Sequence, residues 1–215
     1  PMDFEANAKD GVAVDWPIRY DDLAPWYDHV EQFIGVSGQN EGFPQLPDGK
    51  FLPPMEMNCV EKHFKQQVSD KLGRQVTIGR VAHLTAPLAH SPQRGTCQYR
   101  NMCIRGCPFG AYFSSQSSTL PAAEKTGNMT LRPNSIVYEL IYDEKKERAT
   151  GVRVLDAETR QQTEFFAKVI FLNASTLNST WVLMNSATDV WEGGLGSSSG
   201  QLGHNLMDHH FRVGA

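Results

Sequence analysis

Three cysteines, Cys97, Cys103 and Cys107, lie within eleven residues, and Pro108 directly follows the last of them. Thiols this close in sequence indicate a metal or cluster site, because iron–sulfur clusters are held by cysteine thiolates. The C-x5-C-x3-C spacing matches neither of the common ferredoxin spacings. Three ligands favour a three-iron cluster or a site that takes one ligand from elsewhere.

Two other interpretations of these cysteines stay open. A structural zinc site needs a fourth thiolate or imidazole, for which His83, His90 and Cys59 are candidates, and no C-x-x-C pair is present. The second alternative is that the three are buried free thiols, or one disulfide and a spare thiol. Cys59 lies alone in a predicted helix, which is more typical of a core residue than of a ligand.

The composition excludes several classes of protein. The chain has 215 residues, 40% of them hydrophobic, with 20 Lys and Arg against 24 Asp and Glu. A chain of this length buries roughly 70% of its unfolded surface, so the cysteines are not needed as staples. The charge of −4 argues against nucleic acid as a partner. No apolar run reaches the length of a membrane-spanning helix.

Two helices are predicted in the first third of the chain. Apolar residues from Leu23 to Ile34 recur at helical spacing, with Asp21 or Asp22 as the cap and Gly35 as the end. A second helix is predicted over residues 57–72.

Loops and strands fill the rest of the first half. Residues 36–56 hold too many glycines and prolines for regular structure, which predicts a long loop. Residues 76–84 are expected to form a strand. Residues 85–118, which include the three cysteines, are expected to form an ordered loop.

The second half of the chain has the pattern of a β-meander followed by a helix. Strands are predicted at residues 129–132, 136–142, 151–155 and 164–172. The continuously apolar run at residues 169–172 is typical of a parallel strand covered on both faces. A helix capped by Ser175 or Thr176 should follow it. The expected fold class is therefore α+β, with residues 1–110 rich in helices and loops and residues 111–215 holding the β-meander, the apolar strand and the helix.

Four segments resemble the glucose–methanol–choline (GMC) flavoprotein oxidoreductases, in particular the branch that contains gluconate and other sugar dehydrogenases. The segments that carry the resemblance are W-P-I-R-Y-D-D-L at residues 16–23, G-C-P-F-G-A at 106–111 with the serines up to 118, the strands near 135–172, and S-G-Q-L-G-H-N-L-M-D-H at 199–209. Their order and spacing agree over nearly the whole chain. The resemblance implies that this chain is the middle part of a longer protein. It also implies that residues 111–215, with the meander, the returning strand and the helix, are part of the FAD-binding domain of that protein.

The resemblance implies an FAD-dependent enzyme that oxidises a carbinol by hydride transfer to flavin. The glycine-rich segment that holds the FAD pyrophosphate and the histidine that takes the substrate proton lie outside the matched segments. No catalytic residue is therefore expected in this chain, which should be inactive by itself. The resemblance assigns FAD contacts to the following residues: Val137, Ala174, Ser175, Asn205, Asp208 and His209. The family usually has a glycine in the turn where this chain has Ala174 and Ser175.

In the sugar dehydrogenases a segment that resembles the one around Cys97, Cys103 and Cys107 holds a [3Fe–4S] cluster. This implies onward electron transfer to a cytochrome or quinone, and a small partner subunit. The alternatives are a self-standing iron–sulfur or metal-binding electron-transfer module, and a domain whose cysteines are merely structural. The compartment, cytoplasm or periplasm, is left open by these residues.

Overall fold

A computed structural model describes residues 2–206, which form two compact units. The first unit extends to Thr130 and the second begins at Leu131. The sequence interpretation placed the division at residues 110 and 111. The serine-rich segment and the short helix that follows it belong instead to the first unit, because Arg94 of the cysteine region donates hydrogen bonds to Gly110, Ala111 and Ser118.

The first unit has the two helices that the sequence predicted and two short helices that it did not predict. The α-helices are α1 (Ala6–Asp10), α2 (Tyr20–Ile34), α3 (Cys59–Leu72) and α4 (Thr119–Glu124), and 3-10 turns lie at Met2–Phe4 and Cys103–Arg105. The sequence predicted α2 and α3 but not α1 and α4. The cap of α2 is Arg19 and not Asp21 or Asp22, although the Arg19 N–H donates to the Asp22 carboxylate at 2.8 Å. Asn58 caps α3 by accepting from the N–H groups of Val60 and Glu61.

The strands that were predicted in the first unit do not form. Residues 76–84 make only isolated bridges, from Val81 to Ser37 and from His83 to Tyr112, and residues 129–132 are irregular. A strand needs a partner along its length to satisfy its backbone groups. Here the neighbouring loop at residues 36–56 supplies a single bridge, between Ser37 and Val81, instead of a ladder.

A small apolar core supports the cysteine region. Leu84, Leu88 and Ala111 are buried, and Leu52, Cys97 and Cys107 pack against them. The end of α2 lies against the same core, since a Cβ built on Gly35 would stand 2.2 Å from Leu84 Cδ2. Burial of these side chains is the main favourable contribution to the stability of this region.

The second unit is an antiparallel meander with one helix packed on it. Strands β1 (Ser135–Asp143), β2 (Arg148–Asp156) and β3 (Gln162–Phe166) pair in the order β1-β2-β3, as predicted. Helix α5 (Ser175–Asn185) packs on β1, where Val182 and Leu140 are buried. The overall mixture of helices and a small sheet agrees with an α+β fold.

The parallel strand expected at residues 169–172 is absent from the part of the chain that the structure describes. The last strand ends at Phe166, and the side chains of Val169 and Phe171 are 66% and 81% exposed. A continuously apolar strand is stable only between covering layers, and the described second unit has no parallel neighbour for it. None of the helices within residues 2–206 combines the length and the apolar character needed to cross a membrane.

Candidate functional site

The three clustered cysteines line one recess in the first unit. Cys97, Cys103 and Cys107 line a cavity of about 20 Å³, together with Arg100, Met102 and Phe109 among others. This cavity is here called the cysteine recess. Cys103 lies in a 3-10 turn, and the other two pack on the Leu84 core. The fold therefore brings together the three thiols that the sequence singled out.

Backbone N–H groups are aimed at the sulfur atoms of the recess. The Tyr99 N–H donates to Cys97 Sγ at 3.5 Å. Burial by itself would raise the pKa of the Cys107 thiol, but hydrogen bonds from the backbone N–H groups of Tyr112, Phe109 and Ala111 lower it below its usual value. Donors of this kind stabilise the thiolate, which is the form that binds metals.

The backbone of this segment is held in a strained conformation. Tyr99 and Asn101 have φ angles of 52° and 54°, in the left-handed region that side-chain-bearing residues avoid. Such strain persists only where the surrounding structure enforces it, and it is common at functional sites. Residues 98–102, which include both of these positions, are exposed.

A second, open concavity lies against the same cysteines. It has a volume of about 930 Å³ and is lined by Cys103, Cys107, Gln93, Arg94 and the serine-rich turn around Ser114. This volume is in the range of small-molecule sites. Cys103 and Cys107 line both the narrow recess and this wider concavity.

The structure tests the zinc and disulfide interpretations of the cysteines. All four cysteines are free thiols, so the interpretation as a disulfide with a spare thiol is wrong. Within residues 2–206, no three side chains of His, Cys, Asp or Glu stand close enough to hold a single metal ion. His83, His90 and Cys59 do not line the cysteine recess; Cys59 is the exposed first residue of α3 and not a core residue.

Thiolates of a cluster need not converge as closely as ligands of one ion. Zinc binds sulfur at about 2.3 Å, so its thiolates must nearly touch one another. In an iron–sulfur cluster, iron and sulfide atoms lie between the thiolates and hold them further apart. The three thiols of the recess are of the donor type that a cluster uses, and their role toward one stays a prediction.

The residues assigned to FAD lie on separate elements of the second unit. Val137 is on β1, opposite Val154, and a bulge between Val137 and Glu139 interrupts the pairing at this point. Bulges often redirect the backbone next to a binding site. Ala174 and Ser175 form the turn that begins α5.

The turn before α5 has a left-handed backbone. Ser175 has a φ of 66°, a conformation that glycine adopts without cost and serine does not. This is the turn in which the resemblance to the family led us to expect a glycine, and its role toward FAD stays a prediction. Ser179 Oγ accepts a hydrogen bond from the Ala174 N–H at 3.1 Å and helps to hold the turn.

The last assigned group is only partly described. Asn205 is exposed, has a φ of 61°, and donates from its side chain to Gln201 Oε1. Asp208 and His209 lie outside the described residues. No hydrogen bond among the described residues joins Asn205, Val137 and the 174–175 turn, so their roles toward FAD stay predictions.

One residue of the site was missed by sequence reasoning. Arg94 is 3% exposed, lines the wide concavity beside Cys107, and holds four surrounding oxygen atoms by hydrogen bonds. The spacing of an arginine three residues before a cysteine is not part of a recognisable sequence motif. Only its burial among loop carbonyls reveals that it belongs to the site.

Comparison with known proteins agrees with these features. The chain is 30% identical to the 2-methyl-1,2-propanediol dehydrogenase of Mycolicibacterium austroafricanum, over 99% of this chain and 38% of that protein. It is 32% identical to the fructose dehydrogenase large subunit of Gluconobacter japonicus, over 97% and 38%. It is 23% identical to the gluconate 2-dehydrogenase flavoprotein of Pantoea cypripedii, over 80% and 31%.

The chain thus spans less than two fifths of the length of each of these relatives. The similarity nevertheless runs through both units, including the cysteine region and the meander. Residues 12–211 match the GMC oxidoreductase family. The chain therefore belongs to the GMC oxidoreductase family.

Proposed function

We propose that the whole protein is an FAD-dependent dehydrogenase that oxidises the CH–OH group of a sugar, sugar acid or other alcohol. We propose further that this chain carries a [3Fe–4S] cluster on Cys97, Cys103 and Cys107. Membership of the GMC family implies FAD. The observation that carries the cluster is that the three thiols line one recess.

The chemistry of the proposed reaction divides between FAD and the protein. Bound FAD supplies the hydride acceptor, and the protein positions ring and substrate. In this chain, the backbone at the Val137 bulge would hold the adenine end, and the left-handed turn at Ala174 and Ser175 would approach the cofactor closely. Asn205, Asp208 and His209 are proposed as further contacts. The base that takes the hydroxyl proton is proposed to lie elsewhere in the protein.

The donor set of the recess supports the cluster. Cysteine thiolates are the ligands that iron–sulfur clusters use, and hydrogen bonds to the sulfur atoms tune the reduction potential. The Tyr99 N–H supplies such a bond to Cys97 Sγ, and backbone N–H groups near Cys107 hold the pKa of its thiol below the usual value. Onward transfer to a cytochrome or quinone, with a small partner subunit, is part of the proposal.

Iron, acid-labile sulfide and flavin analysis of the full-length protein, purified without oxygen, tests the cluster. We expect about three irons per flavin and a paramagnetic resonance signal from the oxidised cluster. Cys107→Ser, Cys97→Ser and Cys103→Ser should each lose iron but keep flavin, since the proposed FAD contacts lie in the second unit. Cys59→Ser is the matched control and should keep both, because Cys59 is exposed and outside the recess.

The outcomes separate the alternatives clearly. Flavin without iron in the unchanged protein would refute the cluster and leave the cysteines as structural thiols of an enzyme that passes electrons directly from FAD. Iron without flavin would favour a self-standing electron-transfer module. Equal iron loss in the Cys59→Ser control would show that the loss reflects general damage and not removal of a ligand.

A further inference from the structure

A short antiparallel contact around His83 joins two segments of the first unit that lie far apart in sequence. His83 pairs with Tyr112 in an isolated bridge. Two backbone hydrogen bonds flank the pair, one from the Leu84 N–H to the Ala111 carbonyl at 3.1 Å and one from the Phe113 N–H to the Ala82 carbonyl at 2.9 Å. The His83–Tyr112 pair and these two bonds are here called the latch. The latch holds the segment that follows the cysteines on the apolar core.

The imidazole of His83 is buried in the latch without a hydrogen-bond partner. Its Nδ1 and Nε2 are both shielded from solvent, and neither has a partner among residues 2–206. The ring meets the Tyr112 ring edge to face, with the centroids 4.9 Å apart and the planes at 71°. His90 has a different environment, because its Nε2 lies 2.9 Å from the Phe33 carbonyl. A protonated His90 would keep this acceptor, whereas a protonated His83 has none.

The neutral imidazole therefore suits this place better than the imidazolium. The neutral ring leaves one donor and one acceptor unpaired, whereas the protonated ring leaves two unpaired donors and a buried positive charge. Burial lowers the pKa of His83 below its ordinary value of 6.5.

Other titratable groups around the latch do not offset this cost. Tyr112, which contacts the ring, is a phenol, and a phenol carries no charge in the acid range. The charged or titratable groups nearby on the two segments have partners of their own, since Arg94 and Cys107 form hydrogen bonds with the backbone of the facing segment and Arg80 pairs with Glu41. Desolvation is the cause of the lowered pKa of His83.

The direction of the pH dependence follows from the lowered pKa. When the latch opens, His83 reaches solvent and takes up a proton at its ordinary pKa. Between the two pKa values the open latch binds more protons than the closed one, so the closed form gains stability as pH rises. Its stability is complete above pH 6.5 and is lost as the pH falls from there toward the pKa of the closed form.

We propose that the latch is a pH-sensitive switch, in which a proton from mildly acid solution binds His83 and opens the contact between residues 81–84 and 111–113. Tyr112 and Phe113 also line the wide concavity. Opening of the latch therefore frees one wall of this concavity from the apolar core. The inference goes beyond the proposed function, and it requires neither FAD nor a cluster.

Hydrogen exchange of the full-length holoenzyme, read by mass spectrometry at about pH 7.5 and about pH 5.5, tests this inference. Exchange rates are first corrected for the intrinsic pH dependence of amide exchange. Peptides that carry the Leu84 and Phe113 N–H groups should then exchange faster at the lower pH, by up to about tenfold per pH unit, which is the limit for one proton. Peptides from α2 should keep their rates, because α2 lies outside the latch.

Variants identify the group that takes up the proton. His83→Phe puts a ring that cannot be protonated in the same place and should abolish the acceleration at acid pH. His63→Phe is the matched control and should retain the acceleration, because His63 is exposed on α3. His83→Gln, which is also neutral at every pH, replaces His83→Phe if that variant does not fold.

Each outcome decides the inference. Equal corrected rates at the two pH values in the unchanged protein would overturn the switch, and this measurement needs no variant. Acceleration that persists in His83→Phe or His83→Gln would overturn it as well, because another group would then be responsible. Equal acceleration in α2 would show acid unfolding of the whole first unit instead of a local opening. None of these results bears on the iron and flavin content that tests the proposed function.

Discussion

Gly35 ends α2 against the core that supports the cysteine recess, and its replacement by alanine should strongly destabilise the first unit. Its φ is 80°, in the left-handed region, and its N–H donates to the Glu31 carbonyl. An added Cβ would stand 2.2 Å from Leu84 Cδ2 and 2.9 Å from Leu88 Cδ1. Gly35→Ala therefore meets a conformational cost and a steric one.

The magnitude follows from these two contributions. A side chain in the left-handed conformation costs roughly 1–2 kcal/mol. Overpacking a core costs about 1–3 kcal/mol, and Leu84, which is 0% exposed, has little space to retreat into. The free energy of unfolding should fall by about 2–5 kcal/mol in total.

Gly73, at the end of α3, provides a matched control. Its φ is 59°, and a Cβ built there meets no atom within 4 Å. Gly73→Ala should therefore pay only the conformational cost, roughly 1–2 kcal/mol. Urea unfolding followed by far-ultraviolet circular dichroism measures both variants, because α2 and α3 are the longest helices of the described chain.

The difference between the two variants isolates the packing contribution. We also expect Gly35→Ala to retain less iron than Gly73→Ala, since Cys97 and Cys107 pack on Leu84 and Leu88. If Gly35→Ala were no more destabilising than Gly73→Ala, the close packing of α2 on this core would be refuted.

Two further predictions concern buried polar groups. Burial raises the pKa of Glu41, but hydrogen bonds from Thr77 and Arg80 outweigh this and hold it below its usual 4.5. Because the folded-state pKa is depressed, the carboxylate stabilises the fold above pH 4.5, and this stability is lost as the pH falls through the folded-state value. In Glu41→Gln, the free energy of unfolding should therefore fall less steeply as the pH is lowered into the acid range. Ser186→Ala should cost about 1–3 kcal/mol in urea unfolding, because the Leu140 N–H, 2.8 Å from Ser186 Oγ, loses its partner in a buried site.

Controls for these two changes come from exposed positions. Asp21→Asn removes a carboxylate that makes no ion pair within residues 2–206 from the first turn of α2. The free energy of unfolding of this variant should fall as steeply at acid pH as that of the unchanged protein. Thr180→Ala removes an exposed hydroxyl from α5 and should change stability by less than about 0.5 kcal/mol. An equally steep fall of the unfolding free energy at acid pH in Glu41→Gln would contradict the reasoning. Equal losses of unfolding free energy in Ser186→Ala and Thr180→Ala would contradict it as well.

Sequence patterns predicted best the elements whose signals are local. The apolar stripe before Gly35, the glycine that follows α3, and the alternating runs around residues 143–148 each located an element within a few residues. Caps and turns depend on the chemistry of neighbouring residues. The cap of α2 was wrong by two or three residues, because Arg19 occupies the cap while Asp22 supplies the acceptor from inside the helix.

Strands without local turns could not be predicted in this way. Residues 76–84 and 129–132 have β-type composition, but whether they form strands depends on which segments lie beside them. The apolar run at residues 169–172 likewise requires neighbours that the described second unit lacks. The hydrophobic pattern indicates that such a segment is suited to burial. It does not indicate which other segments cover it.

The sequence by itself determined the membership of the chain in its family, the meander, and the three cysteines as the residues of interest, because these depend on residue type and spacing along the chain. Tertiary structure alone decided that the thiols share one recess without meeting at a single point. It also decided that Arg94, which lines the wide concavity together with Cys103 and Cys107, is buried with backbone carbonyls as hydrogen-bond acceptors. Burial and charge compensation depend on segments far apart in sequence, so only the folded chain can establish them.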